Sequence, residues 1–425
     1  MTTNSTKRRI TYKLYPSAAQ AAVLERQCEL LRQLYNGALE ERITAYTRAV
    51  ERVGKEKAKG LTLGAQEKSV TEIRALLPEY AELHTHACQV VLKRLQRAYE
   101  NFWRRVREGA KEPGFPRFKS KDRWPGFGYK EHGNGFRFTP RFDKDGNWKH
   151  GTLYLSGVGT MTARGQARTF PTRICDCSIM RKCDGWFLSL VVECHPQRAC
   201  GTEDCGLDWG VESYATIACE NEAAGIIAFD QFENDRFWQA AQDGLKAAQR
   251  TLSKARRGKR SKRAAKARKH LARRWRRLAN RRKNRGHIKS AEVIAAHARI
   301  FTESLTVSNI TRSARGTVEK PGKNVKQKAG LNREILDTAP SGLLNLVRYK
   351  AEEAGCELIF LDTRRVKPSQ TCPNCRRVEK KELSVRVHRC GCGFSATRDQ
   401  ASALTVLRIG RETSGREPAR AARAA

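Results

Sequence analysis

The 425-residue chain carries 83 Lys and Arg against 44 Asp and Glu, a net charge of +39. A charge of that size repels itself in a compact state unless a polyanion offsets it, which excludes an ordinary near-neutral enzyme. Hydrophobic residues make up 39%, enough for real cores, which excludes a disordered basic tail.

The length predicts about three domains. The first residues hold no apolar segment, so no secretory signal is expected. No apolar run approaches the roughly 18 residues needed to span a bilayer, and no membrane partner is expected. In a reducing interior the 14 cysteines are thiols or metal ligands rather than disulfides.

Ile10, Tyr12 and Leu14 alternate as in a strand that stops at Pro16, and Ser17 is a plausible N-cap. Leu24, Cys28, Leu31 and Tyr35 then mark one face of an amphipathic helix. A polar stretch with Gly54, Gly60 and Gly64 predicts a loop or frayed region. A second helix carries Cys88, Leu92, Leu95, Tyr99 and Phe102, and ends before Pro113.

Residues 115–193 change period. Short alternating runs between Gly, Pro and Asp-Gly turns predict a small antiparallel barrel or sheet. The strand before Pro16 is expected to join it, making the early helices an insertion. Residues 113–119 mix aromatics with Arg117 and Lys119, a composition suited to stacking on bases and contacting phosphates.

Three closely spaced strands follow, around Leu207, residues 214–219 and residues 226–229, and suggest a meander. From 246 to 289 there are 21 Lys and Arg and no Asp or Glu. More than half of the net charge therefore sits in one helical region. Leu245, Ala248, Leu252 and Ala255 form one apolar stripe; Leu271, Trp275 and Leu278 form another. With Gly258 between them, two packed helices in a hairpin are predicted. Their basic faces point outward, toward nucleic acid; the Trp, Phe or Leu face of a membrane-surface helix is missing.

A strand is predicted at 300–305, a mobile loop at 311–333, a helix at about 341–354 and a strand at 357–361. Asp399 opens a last helix reaching about Ile409, and the residues after it read as a disordered tail.

Two constellations carry chemistry. Cys372 and Cys375 have two residues between them, Cys390 and Cys392 have one, and 14 residues separate the pairs. Four thiolates on two tight turns suit a structural, tetrahedral zinc ion, with His388 a substitute for one ligand. Cys175, Cys177, Cys183 and Cys194 lack that spacing and read as buried thiols. Asp208, Glu303 and Asp399 stand in apolar surroundings, where a carboxylate needs a partner or a metal. Converging on one sheet, they would hold Mg²⁺ for phosphodiester chemistry; apart, they are caps or salt-bridge partners.

The ordered motifs are similar to a known set. They are Gly-Leu-Asp208-Trp-Gly, a long basic helical pair with Leu-Ala-Asn-Arg-Arg, Glu303, Ser369-Gln-Thr-Cys372-Pro-Asn-Cys375, Cys-Gly-Cys-Gly-Phe and Arg398-Asp399. The N-terminal Tyr-Lys-Leu-Tyr-Pro-Ser and the central Pro-Gly-Phe-Pro-Arg-Phe-Lys belong to it as well. The set resembles TnpB, the transposon-encoded RNA-guided nuclease family ancestral to type V CRISPR effectors. The resemblance spans roughly residues 8–410.

It implies a multidomain α/β protein. A wedge β-barrel (1–16 and 113–200) is interrupted by a helical recognition insert (17–112). An RNase H-like, RuvC-type nuclease domain (201–367) follows, with a basic hairpin (236–298). A zinc-ribbon-like insert (368–396), a last helix (397–410) and a disordered tail (411–425) complete the chain. Asp208, Glu303 and Asp399 correspond to the catalytic Mg²⁺-binding acids, and Cys372, Cys375, Cys390 and Cys392 to the zinc ligands. The implied partners are a guide RNA from the transposon end and target double-stranded DNA, in the cytoplasm and nucleoid of a prokaryotic cell. Arg256, Arg257, Arg263, Arg273, Arg274, Arg277, Arg281 and Arg282 would track RNA or heteroduplex phosphates, with Arg117 and Lys119 as further contacts.

Two departures stand out. The family's usual Glu-Asp-Leu is Glu303-Ser304-Leu305 here, and its Asp-x-Asn-Ala-Ala is Asp399-Gln-Ala401-Ser402-Ala403. The three acids remain; an accessory Asp and an Asn do not. The expected activity is Mg²⁺-dependent, RNA-guided DNA cleavage. The alternatives are a nuclease-inactive RNA-guided repressor, a miniature type V CRISPR effector, or a DNA-strand transferase.

Overall fold

The computed structural model describes residues 6–167, 171–195, 198–221, 224–256, 261–382 and 384–414. The chain divides into two compact units, Met1–Pro196 and Gln197–Ala425.

The first unit begins with strand β1 (Thr6–Tyr15) and then runs through helices α1 (Ala18–Val53), α2 (Leu63–Leu76), α3 (Pro78–Ala81) and α4 (Thr85–Arg107). Ser17 caps α1 in a reciprocal capping box with Gln20, satisfying two otherwise orphaned amides. Leu24, Cys28, Leu31 and Tyr35 are all buried, as their spacing predicts. The stretch expected to be a loop after Gly54 contains α2. Gly64 lies inside that helix, and only Gln66 and Val70 are buried along it.

Strands β2 (Gly126–Tyr129), β3 (Phe136–Phe142), β4 (Trp148–Leu155), β5 (Gly159–Ala167), β6 (Pro171–Lys182) and β7 (Gly185–Cys194) complete the unit. Their antiparallel order with β1 is β2-β6-β7-β1-β5-β4-β3. The first strand in the chain is thus the middle strand of the sheet. The hydrogen-bonded order is open, yet the sheet curls until its two edges meet: the rings of Tyr129 on β2 and Phe136 on β3 lie 6.0 Å apart. Tyr12, Phe127, Phe138, Leu153 and Leu188 fill the inside with Leu24 and Leu92.

The second unit opens with the predicted meander, β8 (Glu203–Trp209), β9 (Ser213–Asn221) and β10 (Ile226–Glu233). Helices α5 (Phe237–Arg256) and α6 (Lys262–Ala296) follow, then β11 (His297–Glu303), α7 (Val307–Ile310), α8 (Val325–Thr338), α9 (Pro340–Ala354) and β12 (Glu357–Leu361). The sheet order is β10-β9-β8-β11-β12, with β11 parallel to both β8 and β12. Helices α6 and α9 cover part of it through Val293, Ile294, Leu343 and Val347.

The hairpin helices meet through Leu245, Ala248 and Leu252 on α5 and Ala264, Ala267 and Leu278 on α6. Trp275 does not join that seam: it is 41% exposed. Gly258 lies outside the described residues. The predicted mobile loop is also shorter than expected, because residues 325–333 form the first turns of α8.

The chain ends with α10 (Thr363–Val366), the short pair β13 (Val387–Arg389) and β14 (Ser395–Thr397), and α11 (Arg398–Ser414). Residues 411–414, expected in a disordered tail, continue α11; residues 415–425 lie outside the described residues. Helix α11 packs on β8, where an ideal Cβ on Gly206 would stand 2.0 Å from the Ala403 carbonyl oxygen. At its far end, a Cβ on Gly410 would meet the Phe301 ring at 2.2 Å. Only glycine lets helix and sheet come this close. Among the described residues, no helix is long and apolar enough to cross a membrane.

Candidate active site and nucleic-acid interface

Asp208 lies at the C-terminal end of β8, and Glu303 is the last residue of β11. Thr302 pairs with Leu207 in parallel register, so the two acids are neighbours on adjacent strand ends. Asp399 stands in the first turn of α11. Thr397 and Gln400 cap that helix reciprocally: the Gln400 amide donates to Thr397 Oγ1 at 3.3 Å, and the Thr397 amide to Gln400 Oε1 at 3.1 Å. The cap and the Gly206 contact fix the start of α11, and with it Asp399, over the two strand ends.

The three carboxylates share one electrostatic neighbourhood. Burial pushes the proton affinity of Asp208 well up, and the charges of Glu303 and Asp399 raise it further. A hydrogen bond from Ser402 and the charge of Arg398 oppose this. Burial brings Glu303 up to about 7. Asp399 is raised by burial against the pull of Arg386 and Arg398. All three residues keep partial solvent exposure, so the group sits at a surface rather than sealed in the core. Three hard oxygen donors in a poorly solvated, mutually repelling group suit a divalent cation such as Mg²⁺. The sequence alone gave no signal for Ser402, which stands where the family pattern has Ala. Thr397 and Gln400 do carry the Thr-x-x-Gln spacing of a capping box.

The departures lie in this same place. Ala401 is buried at 1% exposure and contributes no polar group. Ser304 is held through its backbone: its amide donates to the Leu361 carbonyl at 2.9 Å, and its carbonyl accepts from Thr363 Oγ1 at 3.1 Å.

The four predicted thiols come together. Cys372 and Cys392 sulfurs are 3.6 Å apart, Cys375 and Cys390 sulfurs 3.4 Å, and all four lie within 4.8 Å of one another. A tetrahedral zinc with Zn–S near 2.3 Å needs sulfurs about 3.8 Å apart, so the set could bind zinc. The Cys392 amide and the Cys375 thiol bring Cys390 down to about 7, favouring the thiolate that binds metal. His388 is not in the cluster. It is buried against Phe394, and Lys381 donates to its Nδ1 at 2.5 Å. Of the other cysteines, Cys177 and Cys194 are buried, Cys175 is half-buried and Cys183 is exposed.

The thiol turn braces α11. Thr405 donates to the Thr371 carbonyl at 3.0 Å, and Arg408 to the Pro373 carbonyl at 3.2 Å. Arg398 donates to the Glu382 carbonyl at 2.9 Å. The helix that carries Asp399 is therefore tied to the cysteine insert at several points.

On the hairpin, Arg256, Arg263, Arg273, Arg274, Arg277 and Arg281 are exposed; Arg257 lies outside the described residues. Arg281 stacks on Phe237, 4.7 Å from the ring centroid. Arg282 differs from the rest. Its guanidinium is bonded to Asp337, whose side chain is only 2% exposed. That pair spans 55 residues and no local pattern announces it. In the first unit Arg117 is exposed, while Lys119 is partly buried with its backbone tied to Asn36 and Arg32.

Known proteins resemble the chain in sequence and in fold. A family model described as "Cas12f1-like, TNB domain" matches residues 341–406, the stretch holding Asp399 and the four cysteines. A second, described as "Helix-turn-helix domain", matches residues 1–50. Its described part is β1 and most of α1, a strand and one continuous helix. The "Putative RNA-guided DNA endonuclease InsQ" of Escherichia coli (strain K12) is 28% identical over 330 residues, 76% of this chain and 73% of that protein. A "Putative RNA-guided DNA endonuclease" of Streptomyces pristinaespiralis is 27% identical over 410 residues, 95% of this chain and 89% of that one.

Two solved structures share the fold. A Cas12f1–sgRNA–target DNA complex superposes with a TM-score of 0.56 at 12% identity, covering 95% of this chain and 98% of that one. The mini-RNA-guided endonuclease CRISPR-Cas_phi3 gives 0.51 at 10%, covering 96% and 92%. The chain thus shares a mixed α/β fold with these neighbours. The two domain models and the two relatives agree with the resemblance to the TnpB family that the motif order carries.

Proposed function

We propose that the protein is a transposon-associated, RNA-guided DNA endonuclease. The observation that supports this reading is the placement of Asp208, Glu303 and Asp399 at the ends of β8 and β11 and the start of α11, where the charges of Glu303 and Asp399 act on Asp208. These residues would hold Mg²⁺; a bound divalent ion supplies an activated water and stabilises the leaving oxygen in phosphodiester hydrolysis. Ser402 steadies Asp208, and the Thr397–Gln400 cap steadies Asp399. The four cysteines would hold structural zinc in a closed site with no position left for water.

Guide pairing would read the target DNA, as in RNA-guided effectors whose protein reads only a short flanking motif and duplex shape. The exposed arginines of α5 and α6 would follow RNA or heteroduplex phosphates. Exposed Arg117 and Phe118 would offer charge and a stacking face.

Three steps test the reading: purification with bound RNA, sequencing of that RNA, and a Mg²⁺ cleavage assay on matching DNA with wild type and Asp208→Ala. Guide-dependent cleavage by the wild type alone is expected. Equal cleavage by both proteins would overturn the site assignment. The apolar Ala401 favours a second reading, a non-cleaving RNA-guided repressor, which predicts guide-dependent binding with intact strands. Absence of any enriched RNA would overturn the guide model altogether.

A further inference from the structure

A second metal-ligand constellation lies on the same sheet, far from the acids. Glu203 is the first residue of β8 and His297 the first of the parallel β11, while Asp208 and Glu303 stand at the other ends of those strands. Five residue steps of strand separate Glu203 from Asp208, about 17 Å. Cys219, on β9, completes the group. One ligand atom from each of Glu203, Cys219 and His297 lies within 4.8 Å of the other two.

The chemistry of each member suits a ligand. His297 Nδ1 lies 2.7 Å from the Val293 carbonyl, which fixes the hydrogen on Nδ1. Nε2 is then left with its lone pair, 3.2 Å from Cys219 Sγ. A backbone carbonyl holding the far nitrogen is the usual support of a metal-bound imidazole. His297 is buried at 5% exposure, so its ring is held in place.

The surrounding charges leave one carboxylate uncommitted. Arg299 and Arg411 both bind Asp204, and Arg408 and Arg411 bind Glu220. Glu203 has no such partner among the described residues. Glu203 and Cys219 also line an open cleft of about 950 Å³, so a fourth coordination position would face solvent.

We propose that Glu203, Cys219 and His297 form a transition-metal site, with zinc the metal that this mixed oxygen, sulfur and nitrogen set favours. Binding displaces the thiol proton of Cys219 to solvent. The ion joins β8, β9 and β11 at the end of the sheet away from the acid cluster. The site stands independently of the nuclease reading.

The test uses the full-length protein, stripped with a chelator, reloaded with Zn²⁺ and passed through a desalting column. Metal per chain is then measured by mass spectrometry for wild type, Cys219→Ser and Glu203→Gln. Cys219→Ser is expected to hold one equivalent less than wild type with an unchanged circular dichroism spectrum. Glu203→Gln is expected to lose that equivalent at lower chelator concentration. Reloading with Co²⁺ should give wild type a thiolate absorption component that Cys219→Ser lacks. Equal stoichiometry and equal cobalt spectra for wild type and Cys219→Ser would overturn the proposal.

Discussion

Gly206 on β8 and Ala403 on α11 touch backbone to backbone: a Cβ added at Gly206 would stand 2.0 Å from the Ala403 carbonyl oxygen and 2.8 Å from the Leu407 amide nitrogen. Neither atom belongs to a side chain that could turn away. Gly206→Ala must therefore push α11 off the sheet and carry Asp399 with it. A destabilisation of about 1–3 kcal/mol is expected, as for overpacked cores. Cleavage should fall far more than guide RNA binding. Urea denaturation and a cleavage assay on the same preparation check both parts.

Arg282 and its neighbours on α6 should separate by mutation. Arg282→Ala leaves the buried Asp337 carboxylate with only the Trp238 amide as its donor among the described residues, which costs about 1.5–3 kcal/mol. Exposed Arg273→Ala should change stability by less than about 0.5 kcal/mol. It should instead weaken RNA binding and flatten the salt dependence, by about 0.7–0.9 in log–log slope if its phosphate contact is lost. Thermal melts and binding titrations across salt distinguish the two residues.

The acid cluster sets a pH dependence with a definite sign. Burial raises Glu303 from 4.5 to about 7, so the folded protein holds this proton where the unfolded chain has lost it. Stability is therefore fully present below pH 4.5 and declines as pH rises to about 7. The loss is on the order of 3 kcal/mol for this group. Asp208 and Asp399 are shifted in the same direction. In chelator, the melting temperature should fall over this interval, and Glu303→Gln should flatten the fall. Mg²⁺ should raise the melting temperature at pH 8 more than at pH 5. Calorimetry with and without the ion decides; an equal gain at both pH values would remove the carboxylates as its ligands.

Loss of zinc should reach the nuclease centre. Thr405 and Arg408 of α11 rest on the Thr371 and Pro373 carbonyls of the cysteine insert. Cys390→Ser or chelation should unfold residues 368–396, exposing their amides to hydrogen exchange. Exchange should also rise in the first turn of α11, with reduced cleavage and unchanged melting of the first unit.

The sequence revealed those parts that local spacing encodes. The thiol pairs and the buried stripe of α1 were readable, because each rests on a short repeat; the acids of β8 and β11 stood out only through the family resemblance, since isolated carboxylates among apolar neighbours are also caps or ion-pair partners. Helix α2 was not, since a helix burying only Gln66 and Val70 has almost no apolar face to detect. The first turns of α8 were hidden for the same reason: its buried residues, Ile335, Asp337 and Thr338, all lie in its second half. Trp275 misled because helical spacing shows which residues share a face, not whether a partner covers it. Arg282 looked like one more phosphate contact, for its true partner is remote in sequence.

The place of β1 in the first sheet also bears on how the protein is made. Thr6 pairs with Cys194, 188 residues away, and the strand's other neighbour, β5, is almost as late. Ribosomes adding roughly 5–20 residues per second leave β1 without either neighbour for roughly 8–30 s. Helices α1 to α4, built from local contacts, have time to form in that interval. The waiting strand carries Lys7, Arg8, Arg9 and Lys13, and such a row of like charges discourages pairing with a second nascent chain. The basic residues of β1 would in this way guard an unpaired strand against aggregation until its neighbours emerge.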